Sequence, residues 1–209
     1  MRNSLFALLL MLPGVSFGWS GISAFLGQGD SDWLFSDTTQ SADVGFYGLQ
    51  IEDRTQSDLR IGASAGQFEL RLLPAPNALA ERYSGKFLSL YLRLPSALNE
   101  SLTLQTLVRY QYHLGDQSLQ PTQQISWNEI TLELAVSLQV GRLALRPYVY
   151  LQRIDGDITS STQTRLFKLA DNAGSGLMLD YYVEAGAYVR LRASGGSRRS
   201  AGISFVREY

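Results

Sequence analysis

The sequence contains no cysteine and a single histidine, His113. Without cysteine the chain has no disulfide, no thiolate chemistry, no cysteine-ligated zinc and no lipid-anchored N-terminal cysteine. One histidine also excludes a metal site built from several imidazoles. Charged residues make up 18 % of the chain, below the roughly 25 % that is usual for soluble domains. The 18 basic side chains nearly balance the 19 acidic ones, so no basic field indicates a nucleic-acid partner.

Residues 1–18 have the layout of a secretory signal peptide. Arg2 is positively charged, Leu5 to Leu12 form an apolar run, and small residues precede a predicted cleavage site before Trp19. The run is about half of the roughly 20 residues that a membrane-spanning helix needs, and no other apolar segment is longer. No Pro-rich or Gly/Ser-rich linker divides the remainder, so residues 19–209 are predicted to be one domain.

Apolar and polar residues alternate through most of the mature chain. On the clearest strand Leu132 and Leu134 share one face, whereas Thr131 and Glu133 share the other. Such alternation predicts β-strands, because successive side chains leave opposite faces of the pleat. The segments with clear alternation are 88–94, 102–114, 130–140, 143–152, 177–184 and 187–194.

Weaker alternation predicts further strands. They lie at 20–28, 44–52, 58–72 and 200–209. In the third of these the apolar parity slips near Ala65 and Gly66, which predicts a β-bulge. Short turns alternate with longer polar connections, and the predicted longer loops are 74–85, 115–128, 155–174 and 195–199.

The polar face indicates whether the apolar face meets a soluble core or lipid. It carries Arg, Asp and Glu among Ser, Thr, Gln and Tyr, while Lys86 and Lys168 fall outside the strand centres. A soluble surface usually shows more Lys and Glu, whereas pairs of Arg and carboxylate suit a crowded lumen. In lipid the sheet must close, because unpaired edge amides are costly. We therefore predict an all-β, closed, antiparallel up-and-down transmembrane barrel.

Tyrosines near the strand ends predict an interfacial girdle. They are Tyr47, Tyr110, Tyr112, Tyr148, Tyr181 and Tyr209. Strands of about 9–11 residues also match a tilted membrane crossing. A soluble periplasmic barrel that binds an apolar ligand in its core is the alternative architecture for the same alternation.

The last strand carries Phe205 and Tyr209 on one face and stops at the terminus. Here the chain resembles the small outer-membrane β-barrel proteins of Gram-negative bacteria, the OmpA/OmpX-like class, in pattern and over the whole mature chain. The resemblance implies the cell outer membrane as location and outer-membrane lipid and lipopolysaccharide as surroundings. It also implies that Phe205 and Tyr209 act as an insertion signal for the barrel-assembly machinery. Arg207 would share their face, so it is predicted near the periplasmic interface, where a long cation reaches water.

The number of strands follows from their direction. If Tyr209 ends in the periplasm, the strand at 44–52 points down, and an even barrel then needs the strand at 20–28. That gives ten strands. Eight remain the alternative, with 19–56 as an extension or a non-spanning hairpin. Either number gives a lumen that side chains can largely fill.

Charged side chains on the inward face are the predicted functional residues. They are Arg60, Arg93, Arg109, Glu133, Arg146, Asp180, Glu184, Arg190 and Arg192. Salt bridges among them would plug the lumen, which predicts a structural or surface-interaction protein. Since Arg outnumbers acid in this set, a narrow and weakly anion-preferring pore is the alternative. We expect no cofactor and no metal.

An outer-membrane hydrolase acting on lipid or peptide is a further alternative. It would use His113 as general base together with Ser64 of the G-x-S-x-G motif at 62–66, or with a loop acid. That motif needs a strand-to-helix turn, but here it lies inside a predicted strand. His113 is predicted at the outer, interfacial end of its strand. The chain is therefore not predicted to be an enzyme.

Overall fold

Long β-strands make up most of the protein. A computed structural model describes residues 20–36, 38–73, 80–99, 101–118 and 123–209, and the predicted signal peptide lies outside these ranges. The strands are β1 (Gly21–Phe35), β2 (Thr39–Arg54), β3 (Arg60–Leu73), β4 (Glu81–Ala97), β5 (Leu102–Gln117), β6 (Gln124–Val140), β7 (Leu143–Thr159), β8 (Thr164–Leu169), β9 (Ala173–Glu184), β10 (Ala187–Gly196) and β11 (Arg198–Glu208). Within the described ranges, no helix is long and apolar enough to cross a membrane.

Ten of these strands form a closed antiparallel ring. β1 to β7 pair in chain order, β7 pairs with β9, and β9 to β11 complete the ring. β11 pairs back with β1, from Gly21 opposite Glu208 to Ser31 opposite Arg198. The predicted ten-stranded transmembrane barrel is confirmed, and the eight-stranded alternative is wrong for this ring. At the end of the barrel that we call the terminal end, the Tyr209 amide donates a hydrogen bond to the Ser20 carbonyl at 2.9 Å.

β8 closes a second, smaller ring at the opposite end. It pairs with β7 over Asp155–Thr159 and with β1 over Trp33–Phe35. β7 pairs with β9 only as far as Leu151, and β1 pairs with β11 only as far as Ser31. Beyond those points β8 replaces β9, β10 and β11. We call this eight-stranded part, formed by β1 to β8, the collar.

The collar corrects the prediction of a long loop over 155–174. The first residues of that segment continue β7, and Thr164–Leu169 form β8. The strands β1 to β7 are 14–17 residues long, whereas β9 to β11 are 10–12. Because a tilted crossing needs only about 9–11 residues, the longer strands extend beyond a bilayer at the collar end.

Aliphatic side chains cover the outside of the ten-stranded part, and we call this surface the belt. Leu134 on β6 is 43 % exposed, and the residues around it on neighbouring strands are exposed to a similar degree. The belt includes Ile22, Leu26, Leu49, Ile61, Leu88, Leu92, Leu94, Val108, Ile130, Leu132, Leu134, Val136, Leu138, Leu145, Val149, Leu151, Leu177, Leu191 and Phe205. In water this apolar surface would be costly, at about 25 cal/mol per Å². A closed barrel with such a belt is the form in which β-strands cross a bilayer.

In the collar the apolar face of the strands points inward, whereas in the ten-stranded part it points outward. On β6, Ile125 and Trp127 are buried inside, whereas Leu132 and Leu134 on the same strand point outward. The pleat of β6 stays regular, and it is the residue type at the inward positions that changes. These residues are apolar before Glu129 and, apart from Ala135, polar from Glu129 to Ser137. The collar is therefore built like a soluble barrel and the belt region like a membrane barrel.

The same change overturns the predicted bulge in β3. Its pairing with β2 and with β4 shows no register shift at Ala65 and Gly66. The apolar parity changes because Phe68, Leu70 and Leu72 belong to the collar and point inward, where they are buried. The sequence slip thus marks the level at which the strand leaves the bilayer.

Aromatic rings fill the collar. Trp33 stacks on Phe167 with ring centroids 4.5 Å apart, and Trp127 meets Trp33 edge-on at 5.5 Å. Phe68 contacts Trp127 at 4.7 Å. The collar core comprises Trp33, Phe35, Ala42, Val44, Phe68, Leu70, Leu72, Tyr83, Ile125, Trp127, Ile154, Ile158, Phe167 and Leu169. These side chains close the interior of the barrel at this end.

Most of the predicted tyrosine girdle points outward. Tyr47, Tyr110, Tyr181 and Tyr209 are exposed, and Tyr112 lies on the same face of β5 as Tyr110. Tyr148 was wrongly placed in the girdle. It is only 3 % exposed, because even-numbered positions of β7 face the lumen.

Candidate functional site in the lumen

Polar side chains line the barrel from the collar core to the terminal end. A cavity of about 200 Å³ lies among them. Trp127, Phe46 and Phe87 line its wall towards the collar, and it extends to Gly21 and Glu208 at the terminal end. Four groups of charged residues surround this cavity.

Glu52 is the centre of the first group, at the terminal end. Its carboxylate accepts a hydrogen bond from Arg60 at 3.0 Å and from the Tyr91 hydroxyl at 2.8 Å, and it pairs with Arg93 at 3.2 Å. Arg60 also donates to Glu208 at 2.9 Å. The group therefore ties β2, β3 and β4 to β11, across the seam between the first and last strands.

Asp180 holds the second group together. Arg190 donates two hydrogen bonds to its carboxylate, at 2.7 and 2.9 Å, and Arg146 pairs with it at 2.8 Å. Arg146 also donates to Gln105 at 3.3 Å. Asp180 has no exposed surface, so its charge depends on these two guanidinium groups.

Glu133 and Arg192 form the third group. Arg192 donates to the Glu133 carboxylate at 2.6 Å and to the Tyr148 hydroxyl at 3.0 Å. The guanidinium also lies over the Tyr148 ring, 4.4 Å from its centroid, which adds a cation–π contact. Tyr148, which faces the lumen, thus holds the Arg192 side chain in place beside Glu133.

Arg198 and Arg109 lie closer to the collar. Arg198 pairs with Glu129 at 3.8 Å and lies over the Phe46 ring at 5.3 Å. Arg109 lines the cavity, and among the described residues no carboxylate oxygen lies within 4.0 Å of its guanidinium. The predicted residues Arg60, Arg93, Arg109, Glu133, Arg146, Asp180, Arg190 and Arg192 thus all face the lumen.

Glu184 is the exception, and the prediction that it faces the lumen is wrong. Its side chain is 56 % exposed and pairs with Arg207 on the outside of the barrel. A register shift in the β9–β10 pairing at Ala187 and Tyr188 breaks the alternation that would have turned it inward. Arg207 lies at the terminal end on the outward face, with its charge matched by Glu184.

Sequence reasoning missed four charged residues of the lumen. Glu52 and Glu208 lie at strand ends, Arg198 lies in a predicted loop, and Glu129 lies one residue before a predicted strand. Continuing the inward alternation to the last residue of the predicted strand at 44–52 finds Glu52, and extending it by two residues from Thr131 along β6 finds Glu129. Nothing in the alternation distinguishes Arg198, because it follows the turn at Gly196 and Ser197.

His113 is buried inside the barrel. The prediction that it lies at the outer, interfacial end of its strand is therefore wrong. Its ring stacks on Trp127 with centroids 4.0 Å apart, and Phe68 meets it edge-on at 5.4 Å. Its Nε2 atom shares a hydrogen bond with the Gln111 amide at 2.8 Å. In the described residues no serine hydroxyl or carboxylate hydrogen-bonds to it, so the base–nucleophile pair that the alternative of a hydrolase requires is not assembled there.

Ser64 is buried inside β3, as expected for small residues of a packed strand. Gly62 faces the lumen beside Tyr91, where a Cβ atom would overlap the tyrosine ring. The G-x-S-x-G residues therefore make room for a neighbouring aromatic side chain. In the parts of the chain that the structure describes, no three His, Asp or Glu side chains group as metal ligands.

Comparison with known proteins shows similarity of fold. No protein-family model matches the chain, and no curated protein matches its sequence. Among solved structures, the transport unit of the autotransporter AIDA-I from Escherichia coli is similar, with a TM-score of 0.52, 10 % identity and coverage of 96 % of this chain and 93 % of that one. The beta domain of the Bordetella autotransporter BrkA has a TM-score of 0.49 and 11 % identity, covering 90 % of this chain and 100 % of that one. With 10 % identity, the likeness to the AIDA-I transport unit concerns the closed barrel fold alone.

Proposed function

We propose that this outer-membrane β-barrel is a non-conducting structural protein of the OmpA/OmpX-like type, which holds a folded collar at the membrane surface. The collar core carries this proposal. An eight-stranded ring has an interior just wide enough for side chains to fill. Here Trp33, Phe68 and Trp127 fill it, each no more than 2 % exposed.

Among the described residues, the packed rings of this core would leave a hydrated ion no path along the barrel. The charged lumen ends at the collar core, where Trp33 and Trp127 line the cavity and the ring of Trp33 stacks on that of Phe167 at 4.5 Å. The lumen therefore supports a pocket closed at one end, in preference to the narrow pore. The collar's outer face, with Arg153, Asp155 and Lys168 exposed, is suited to water and to contact with polar surfaces.

The belt and the last strand support the proposed surroundings. Outer-membrane lipid and lipopolysaccharide would contact the belt. Phe205 and Tyr209, 59 % and 80 % exposed on the outer face, are available to the barrel-assembly machinery as an insertion signal. The proposal assigns no catalytic role to His113, and it predicts that His113→Ala changes no hydrolytic activity of the purified barrel on phospholipid, lipopolysaccharide or peptide.

Single-channel recording in planar bilayers tests the non-conducting state. The natural barrel should give no regular conductance steps. The double variant Trp33→Gly with Trp127→Gly removes the largest rings of the collar core and should conduct, whereas Leu166→Gly, on the outer face of β8, should not. Heat-modifiable gel mobility checks that each barrel is folded. Regular steps from the natural chain would overturn the proposal.

A further inference from the structure

The lumen of the ten-stranded part carries more positive than negative charge. Among the residues that the structure describes, seven arginines and five carboxylates point inward in this region. They are Arg60, Arg93, Arg109, Arg146, Arg190, Arg192 and Arg198, with Glu52, Glu129, Glu133, Asp180 and Glu208. In a wall surrounded by lipid, an excess of buried charge is costly unless a counter-charge is present.

Every carboxylate of the lumen is already paired. Glu52 and Asp180 each hold two arginines, and Glu133, Glu129 and Glu208 each hold one. Arg109 has no carboxylate oxygen within 4.0 Å among the described residues, so its guanidinium has no paired counter-charge of its own. Its guanidinium is therefore free to bind an anion from outside the chain.

Arg109 lies beside the cavity and not in a packed part of the lumen. The cavity has a volume of about 200 Å³, whereas one of about 150 Å³ is enough to hold benzene. Gln111 and Arg192 also line the cavity and carry hydrogen-bond donors. The cavity is also lined by three aromatic side chains, those of Phe46, Phe87 and Trp127.

We propose that this cavity binds a small aromatic carboxylate. A guanidinium group presents parallel N–H donors that match both carboxylate oxygens, so Arg109 would hold the charged end. The ring of the ligand would pack against Phe46, Phe87 and Trp127, since aromatic pairs prefer offset or edge-on contacts. The ligand would enter from the terminal end, because the collar core closes the other. This binding activity goes beyond the structural role proposed above.

Calorimetric titration of the folded full-length barrel in a zwitterionic detergent tests the proposal. Benzoate should bind saturably, and benzamide, which has the same shape without the charge, should bind at least tenfold more weakly. Inorganic phosphate, which has the charge without the ring, should also bind at least tenfold more weakly. These three titrations need no variant, so they stay decisive if a substitution at Arg109 disturbs folding.

Variants then assign the site. Arg109→Gln should weaken benzoate binding at least tenfold, and Arg109→Lys should weaken it less. Arg199→Gln is the matched control, because Arg199 is exposed and pairs with Asp30 on the outside of the barrel. Absence of saturable benzoate binding, equal binding of benzamide or of phosphate, or unchanged binding by Arg109→Gln would each overturn the proposal. Conductance is measured separately, so either proposal can fail without the other.

Discussion

Trp33 and Phe167 lie face to face, with their rings tilted by only 5° and their centroids 4.5 Å apart. The first residue belongs to β1 and the second to β8, and the strands that carry them are hydrogen-bonded at this point, where Trp33 is opposite Leu169. This contact therefore joins the two edges of the eight-stranded ring. It also separates the charged lumen from the solvent beyond the collar.

Replacing Phe167 should loosen the collar. Phe167→Ala leaves a cavity beside Trp33 and should lower the free energy of unfolding by about 3–5 kcal/mol. Urea unfolding in detergent micelles, followed by tryptophan fluorescence, measures the change. Leu166→Ala, whose side chain is 70 % exposed on the outer face of the same strand, is the control and should change stability by less than about 0.5 kcal/mol. Equal effects at the two positions would show that β8 does not seal the collar.

Removing the carboxylate of Asp180 should destabilise the barrel strongly. Asp180→Asn leaves the guanidinium groups of Arg146 and Arg190 buried without their shared counter-charge, which costs about 3–5 kcal/mol. The same unfolding measurement applies. Asp155→Asn removes one partner of an exposed pair with Arg153 and should cost less than about 1 kcal/mol. A small loss at Asp180 would mean that water reaches this part of the lumen freely.

Two positions on the outer face of β6 test where the bilayer ends. Leu134→Arg places a charge in the belt and should cost about 2–4 kcal/mol in lipid vesicles. Gln124→Arg, ten residues earlier on the same face and in the collar, should cost no more than about 1 kcal/mol. Reversible unfolding from vesicles compares them. Similar costs at both positions would contradict the assignment of the collar to water.

Gly62 should not tolerate a larger side chain. A Cβ atom there meets the Tyr91 ring, and shifting that ring breaks the hydrogen bond from its hydroxyl to Glu52. Gly62→Ala should therefore cost about 1–3 kcal/mol through overpacking. Gly45→Ala is the control, since nothing lies within 4 Å of a Cβ atom at that position. The difference in urea midpoint between the two variants is the measurement, and no difference would mean that Tyr91 moves without cost.

The alternation along single strands predicted much of this structure. The outward positions Leu132 and Leu134 and the inward Glu133 are where their parity places them, because a regular pleat transmits parity along the strand. The collar could not be predicted, because the alternation of apolar and polar residues does not show which face of a strand points into the barrel. In the collar Phe68 and Leu70 are the inward residues of β3. The resulting change in the parity of apolar residues is the same in the sequence as that of a β-bulge.

The lumen could be predicted as a face but not as a set of pairs. Which carboxylate holds Arg60 or Arg192 depends on strands that are far apart in the sequence, and alternation carries no such information. Glu184 was misassigned because a register shift at a turn ended the parity rule. β8 was missed because six residues with a single buried aromatic, Phe167, gave too little alternation to separate a strand from a loop.

The two rings are completed by different stretches of polypeptide. All strands of the collar lie before Ala170, whereas the ten-stranded ring needs the chain as far as Glu208. A ribosome that has reached Leu169 has thus already synthesised all eight strands of the collar. The last forty or so residues supply only β9, β10 and β11, which lie between β7 and β1 in the ten-stranded ring. A truncation in this tract would therefore leave every strand of the collar intact, but it would leave the wall of the ten-stranded part unclosed.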